Sequence, residues 1–295
     1  SWHNHVSGDH YTISEAWLDR VQEVLDYAVD DDMYVILNIH HDTDKEYCYP
    51  DKEHLEQSLS YMTFIWEQLA DRFGDYDEHV IFESINEPRL VETDHEWWLD
   101  MNAAECVEAV ECINEWNQNF VDVVRKTGGN NATRYLMVPG YDASADGVLN
   151  DKFVLPTDTA ENEGKILVSV HAYIPYHFAL QAATENESID QFNASEKTST
   201  NDIDQMMEKL YAKYISNEIP VVIGEFGARD KNGNLQSRVD YAAYYIAAAR
   251  AYGMSCNWWD NNAFTGDGEL FGLLDRKTVT WRYPKIVDAL MKYAE

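Results

Sequence analysis

Two glutamates, Glu87 and Glu225, follow short runs of apolar and β-branched residues. A carboxylate at the end of such a run is costly to remove from water unless it is paired or takes part in a reaction. Two carboxylates that face one sugar can hydrolyse a glycosidic bond, with one as the acid and the other as the nucleophile. The alternative is that both form ion pairs with arginines of the fold. Spacing alone favours neither interpretation.

The chain alternates stretches of helical periodicity with short apolar runs, which predicts a parallel sheet with helices between its strands. A doubly wound sheet would carry a glycine-rich loop after its first strand, and the glycines at 266, 268 and 272 lie near the C-terminus with a different spacing. The predicted helices cover residues 15–30, with Ser14 as N-cap, and 54–73, 104–126, 203–216, 237–252 and 284–293. The predicted strands cover residues 33–40, 80–85, 135–138, 166–170 and 220–223, and a last strand leads into 256–259. The polar segment Thr184–Asn201 predicts a surface excursion.

Polar and aromatic side chains follow each predicted strand. In a parallel barrel the carboxyl ends of the strands converge on one face, which is where the active sites of such barrels lie. One group of this kind could be structural, but six in order are difficult to obtain by chance. The groups are His40-His41-Asp42, Asn86-Glu87-Pro88, Tyr141-Asp142, His171-Ala172-Tyr173, Glu225-Phe226-Gly227 and Trp258-Trp259-Asp260.

Two of these motifs resemble a known family. Asn86-Glu87-Pro88 after Ile81-Phe82-Glu83, and Gly224-Glu225-Phe226-Gly227 after Val221-Val222-Ile223, resemble clan A of the glycoside hydrolases, and within it family 5, the cellulase family. The turns Ile39-His40-His41-Asp42 and Trp258-Trp259-Asp260-Asn261 resemble its subfamily 4 of endoglucanases and xyloglucanases. The resemblance covers the whole chain and implies an α/β fold, the (β/α)8 TIM barrel.

The resemblance also implies roles for single residues. Glu87 takes the place of the acid/base and Glu225 that of the nucleophile of a retaining mechanism, which implies carboxyls about 5–5.5 Å apart. Asn86 takes the place of the residue that binds the sugar 2-hydroxyl, and Tyr173 that of the hydroxyl donor to the nucleophile. His40 and His171 match the two site histidines. Trp259 matches the tryptophan under the sugar, and we prefer it to Trp258 because strand alternation sends one of the two inward.

Trp97 and Trp98 follow the first glutamate by ten and eleven positions. Indole rings stack on the apolar faces of sugars, and amphipathic aromatic side chains suit wet clefts. A tryptophan in this segment could equally anchor the loop to the barrel. We expect one of the pair to contact substrate and the other to pack.

No metal or other cofactor is expected. His40 and His41 are neighbours, and adjacent strand residues point to opposite faces, so they should not chelate one ion. Asp42, Asp44, Glu46 and Glu53 match positions of a calcium loop, but Tyr47 stands where that loop needs glycine. We expect a solvated acidic loop there. The four cysteines have no zinc spacing and are expected to be free.

The charge of the chain limits its partners. Lysine and arginine number 22 against 53 aspartates and glutamates, a formal charge of −31. Such a surface repels phosphate backbones and anionic lipids, so neither nucleic acid nor membrane is an expected partner. No stretch approaches the roughly 18 apolar residues of a membrane helix. We expect a secreted protein that is monomeric when complete and that binds a β-glucan polysaccharide or oligosaccharide.

The resemblance further suggests that residues 1–295 form a single catalytic domain that lacks the first strand, the first helix and most of the second strand of the family's barrel. The arginine that the family's second strand supplies has no match here. The alternatives that remain open are xyloglucanase, mannanase or xylanase activity with the same mechanism, or a non-catalytic carbohydrate-binding barrel. The predicted activity is that of a retaining endo-β-1,4-glucanase of the cellulase type.

Overall fold

The structure, a computed structural model, describes residues 1–162 and 164–294. The contacts of the chain divide it into two units, Ser1–Ser169 and Val170–Glu295. In each unit, parallel strands are separated along the chain by helices, as the alternating periodicity predicts.

The first unit begins with an antiparallel pair of short strands and continues with parallel strands that pair in chain order. Val35 pairs with Val80, and Leu136 pairs with Ile166. The elements are β1 (Val6–Ser7), β2 (Thr12–Ile13), α1 (Glu15–Asp30), β3 (Val35–Asn38), α2 (Leu55–Arg72), β4 (Val80–Glu83), α3 (Ala104–Lys126), β5 (Leu136–Pro139), α4 (Ala145–Leu149) and β6 (Ile166–His171), whose last two residues belong to the second unit.

The second unit contains a pair of parallel strands and, near its end, a small antiparallel pair. The helix between the two parallel strands packs against the last helix, with a cluster of buried residues that includes Ala242, Leu273 and Ile286. The elements are α5 (Tyr176–Ala179), α6 (Lys197–Lys213), β7 (Val221–Phe226), α7 (Leu235–Ala251), β8 (Ser255–Trp258), β9 (Leu274–Asp275), β10 (Thr280–Trp281) and α8 (Pro284–Ala294).

Most predicted elements form within a few residues of the expected limits, and the exceptions have local causes. Strand β3 is shorter than predicted because Met33 and Tyr34 are apolar but exposed and precede it. Helix α6 begins at Lys197, inside the predicted surface excursion. Its first turn is polar and mostly exposed, so this turn has no amphipathic pattern from which a helix could be predicted. Ser14 precedes α1, but its side chain makes no capping hydrogen bond.

One arginine fixes the amino ends of the strands in the first unit. The guanidinium of Arg134, which is 3% exposed, donates to Asn131 Oδ1 at 2.7 Å. It also donates to five backbone oxygens, at distances from 2.6 to 3.3 Å, namely those of Phe73, Gly74, Tyr76, Asp77 and Val80. Burial lowers the pKa of Arg134 to about 10. The group therefore remains a cation at neutral pH, and its donors satisfy the carbonyls that lead into β4.

Candidate active site

Glu87 lies four residues beyond the end of β4, in a segment whose backbone is still held like a strand. Ser84 N donates to Met137 O at 3.0 Å on one side, and Asn86 N donates to Ile39 O at 2.8 Å on the other. The parallel pairing therefore continues past the assigned strand and fixes the position of Glu87. Its side chain is 18% exposed.

Arg89 lies directly against this glutamate, although the sequence did not indicate it. Its Nη1 donates to the backbone oxygen of Glu87 at 2.9 Å and lies 3.7 Å from Glu87 Oε2. Its Nε lies 3.4 Å from Glu96 Oε1, and its guanidinium carbon stands 3.9 Å from the ring centroid of Trp97. One cation thus joins the carboxyl of Glu87 to the loop that follows it.

The two loop tryptophans differ in their surroundings. Trp97 and Trp98 are 51% and 64% exposed, so neither is part of the core. One face of the Trp97 ring is covered by the Arg89 guanidinium, a cation–π contact. This contact packs one face of Trp97 against the loop. Which of the two tryptophans contacts substrate stays a prediction.

A half-buried amide, that of Asn38, connects the other predicted residues of the first unit. Asn38 Nδ2 lies 3.5 Å from Asn86 Oδ1 and 3.4 Å from His40 Nδ1. It also donates to Glu83 Oε2 at 2.8 Å, and Ser169 Oγ donates to Glu83 Oε1 at 2.5 Å. Glu83 is 2% exposed. The sequence signal that could have identified this group is an acidic residue, Glu83, within an apolar strand.

The expectation that His40 and His41 point to opposite faces is wrong. Their ring centroids are 4.3 Å apart and the rings meet edge to face. Alternation applies only within a strand, and β3 ends at Asn38, before both histidines.

The expected solvated acidic loop is also wrong at Asp42, which is fully buried. Its carboxylate accepts hydrogen bonds from Trp2 N at 3.0 Å and from Tyr61 Oη at 2.9 Å, and it lies 2.6 Å from His3 Nδ1. Asp44 Oδ1 accepts from the backbone N–H groups of the next loop residues. These carboxylates hold the chain in place, which is a structural use of the calcium-like spacing.

In the second unit, Glu225 lies within β7 near its end and is 9% exposed. Tyr173 Oη donates to Glu225 Oε2 at 2.6 Å, and His171 Nδ1 lies 3.7 Å from Glu225 Oε1. The backbone supports this arrangement, because Ala172 N donates to Glu225 O at 2.9 Å and Tyr245 Oη donates to Ala172 O at 3.1 Å. A hydroxyl that donates to a carboxylate stabilises its ionised form and orients it.

Trp258, the last residue of β8, and the adjacent Trp259 are placed differently. Trp258 packs edge to face against Phe226, with centroids 5.4 Å apart, and its indole N–H donates to Phe271 O at 3.2 Å. Trp258 is thereby committed to packing. Trp259 follows β8, and its backbone N–H donates to Phe226 O at 2.8 Å. The role of Trp259 under a sugar stays a prediction.

The structure thus assembles two groups of predicted residues. The first contains His40, Asn86 and Glu87, and the second contains His171, Tyr173 and Glu225. The separation expected between the Glu87 and Glu225 carboxyls stays a prediction. Sequence reasoning missed Asn38, Glu83 and Arg89.

The model of the family described as Cellulase (glycosyl hydrolase family 5) matches residues 1–265. Endoglucanase B of Ruminococcus albus is 42% identical over 295 residues, which are all of this chain and 67% of that protein. Endoglucanase B of Neocallimastix patriciarum is 42% identical over 99% of the chain, which spans 58% of that protein.

Solved structures give the same result. A family 5 lichenase from Caldicellulosiruptor sp. F32, in complex with cellotetraose, is 60% identical with a TM-score of 0.99, over 100% of this chain and 79% of that one. A subfamily 4 broad-specificity endoglucanase from Ruminococcus champanellensis, with bound cellotriose, is 44% identical with a TM-score of 0.88, over 99% of this chain and 80% of that one.

These similarities confirm the predicted family and fold. The fold is that of a (β/α)8 barrel, and the described residues contribute six of its parallel strands. Among the residues that the structure describes, no helix combines the length and the apolar character needed to cross a membrane. The free state predicted for the cysteines is confirmed for all four. The family match, the strand ends and the two glutamate sites agree, and the chain belongs to the cellulase family, glycosyl hydrolase family 5.

Proposed function

We propose that this chain is a retaining endo-β-1,4-glucanase that hydrolyses β-glucans by double displacement. The observation that carries the proposal is the Glu225 carboxylate, nearly buried, oriented by the Tyr173 hydroxyl at 2.6 Å and faced by His171 at 3.7 Å. A carboxylate held in one orientation is what a nucleophile needs, because attack requires alignment with the anomeric carbon.

In the proposed reaction, Glu225 attacks the anomeric carbon while Glu87 donates its proton to the leaving glycosidic oxygen. The bond between the anomeric carbon and that oxygen breaks, and a glycosyl ester forms on Glu225. Glu87, now ionised, then takes a proton from water, whose oxygen displaces Glu225 and restores both groups. Asn86 is the proposed partner of the sugar 2-hydroxyl, and Trp259 is the proposed platform under the ring.

The proposed substrates are glucans with a β-1,4-linked backbone. The 60% identical relative is a lichenase, and a 36% identical one is described as a xyloglucan-specific endo-β-1,4-glucanase. Mixed-linkage glucan, cellulose derivatives and xyloglucan are therefore expected to be cleaved ahead of mannan and xylan. Because such polymers do not cross membranes, we place the enzyme outside the cell.

The test is reducing-sugar release from barley β-glucan, carboxymethyl-cellulose, xyloglucan, mannan and xylan. The chain would be compared with its Glu225→Ala variant, with circular dichroism to show that both are folded. Release from the glucans that disappears in the variant supports the proposal. A folded protein that binds glucan without releasing sugar would instead show a non-catalytic carbohydrate-binding barrel, and release from mannan or xylan alone would change the substrate class.

A further inference from the structure

We propose that Arg89 is a positioning residue that orients Glu87 and sets the pH at which Glu87 loses its catalytic proton, with Glu96 as the counter-charge that moderates Arg89. This inference rests on the proposed function, since it assigns a partner to the acid/base of that reaction. Its basis is the geometry of one loop, from the glutamate to the tryptophans.

Arg89 holds the loop through three kinds of contact. It donates to the backbone oxygen of Glu87 at 2.9 Å, it pairs with Glu96 at 3.4 Å, and it stacks on Trp97 at 3.9 Å. The fork of the guanidinium allows these contacts at the same time, which the single ammonium of a lysine cannot reproduce. Arg89 therefore fixes the main chain that carries Glu87.

The charge of Arg89 acts on the reaction as well as on the loop. Its Nη1 lies 3.7 Å from Glu87 Oε2, and a cation at this distance favours the ionised carboxylate. Ionisation of Glu87 favours the second step, in which Glu87 acts as a base, and disfavours the first step, in which it must carry a proton. Glu96 reduces the effect of Arg89 on Glu87, because its carboxylate is paired with the same guanidinium.

Other titratable groups of the first unit lie near this pair. Partial burial lowers the pKa of His41, on which Glu87 and Arg89 act in opposite directions.

Burial raises the pKa of Tyr141, so its hydroxyl stays a neutral phenol. This hydroxyl donates to His95 O at 2.6 Å and accepts from Leu90 N at 3.0 Å. Asp142 is adjacent through its backbone, with its N–H donating to Pro88 O at 2.8 Å. Glu96 is an anion that contacts Arg89 in addition to Glu87.

The experiment is the pH profile of kcat/KM on barley β-glucan for the enzyme and for Arg89→Gln, Arg89→Lys and Glu96→Gln. The alkaline limb reports loss of the proton from the general acid. Removing the cation in Arg89→Gln should move this limb up by about one pH unit. Removing the anion in Glu96→Gln should move it down by a smaller amount. Arg89→Lys keeps the charge, so its limb should stay near that of the enzyme while kcat falls because the loop is held less well.

A purely structural role would lower activity without moving the limb in opposite directions in the two charge variants. Coincident limbs in Arg89→Gln, Glu96→Gln and the enzyme would therefore overturn the inference. Thermal unfolding identifies a variant that has not folded. If either Arg89→Gln or Glu96→Gln fails to fold, the alkaline limb of the other one decides the question. If the enzyme itself releases no sugar from any glucan, the proposed function fails and this inference fails with it. An active enzyme with coincident limbs removes the inference alone.

Discussion

The two ends of β4 are each held by an arginine, and the two arginines are used differently. At the amino end, the buried guanidinium of Arg134 donates hydrogen bonds to backbone oxygens between Phe73 and Val80. Beyond the carboxyl end, Arg89 makes one short hydrogen bond, to Glu87 O, and its contacts with carboxylates are longer, at 3.4 and 3.7 Å. A cation saturated by carbonyls locks the chain, whereas one paired loosely with a carboxylate can change that group's chemistry.

The largest expected effect lies at the carboxyl ends. Glu225→Ala should lower kcat on barley β-glucan by on the order of 10⁴-fold or more, because the proposed nucleophile is removed. Glu87→Ala should lower it by about 10²- to 10⁴-fold, and less on aryl glycosides whose leaving group needs no proton. Thermal unfolding should be nearly unchanged in both variants. Equal losses of Glu87→Ala on aryl and polymeric substrates would contradict the assignment of Glu87 as the acid.

The amino end should show the opposite behaviour. Arg134→Met leaves several buried carbonyls without a donor, so the free energy of unfolding should fall by about 3 to 5 kcal/mol. The activity of each folded molecule should be retained, because Arg134 contacts no proposed site residue among those that its hydrogen bonds identify. Urea unfolding measures the first quantity, and kcat per folded molecule measures the second. A stability loss below about 1 kcal/mol would remove the contrast between the two ends.

Local patterns in the sequence could be predicted, whereas contacts between residues far apart in the chain could not. The limits of α1 and α3 follow from periodicity, and Glu87 and Glu225 follow from motifs at strand ends. The contacts of Asn38 with Glu83 and of Ser169 with Glu83 join residues 45 and 86 positions apart, and no local pattern specifies them. Arg89 is only two positions from Glu87, but its importance depends on Glu96 and Trp97 folding back onto it. Such partnerships are decided by tertiary packing.

Lys231, a buried lysine in the loop that follows β7, extends the comparison to the second unit. Like Arg134 it donates hydrogen bonds mainly to backbone oxygens, but it lies beyond the carboxyl end of a strand, as Arg89 does. Lys231 is 1% exposed, and its Nζ donates to His177 O at 2.6 Å and to Ser188 Oγ and Ile189 O at 3.2 Å. Burial lowers its pKa from 10.5 to about 8. We therefore expect Lys231 to have a structural role, because its N–H donors are all hydrogen-bonded, although it lies at the end of the strand where the proposed site residues lie.

Between pH 8 and 10.5 the unfolded chain binds the Lys231 proton more readily than the folded protein does. Stability due to this group therefore rises as pH increases through that window. Relative to Lys231→Met, the free energy of unfolding should increase by about 2 to 3 kcal/mol across it, as measured by urea unfolding at both limits. A difference that stays constant or falls with pH would show that burial does not destabilise the ammonium.

The smallest expected effect tests the orientation of the nucleophile. Tyr173→Phe removes the hydroxyl that donates to Glu225 at 2.6 Å and leaves the ring in place. Loss of one hydrogen bond to a charged group should lower kcat by about tenfold to a hundredfold, with little change in thermal stability. Unchanged kcat would mean that His171 and the backbone are sufficient to orient the carboxylate.

The most direct test of the account is to trap the covalent intermediate. A 2-deoxy-2-fluoro-β-cellobioside with a dinitrophenyl leaving group would be incubated with the enzyme. The fluorine slows both formation and hydrolysis of the glycosyl ester, and the good leaving group restores the rate of formation, so the ester accumulates. Peptide mass spectrometry would then locate the sugar. The account predicts one cellobiosyl group on Glu225, and none in Glu225→Ala. A label on another residue, or an active enzyme that hydrolyses glucan with inversion and never carries a label, would contradict the central claim.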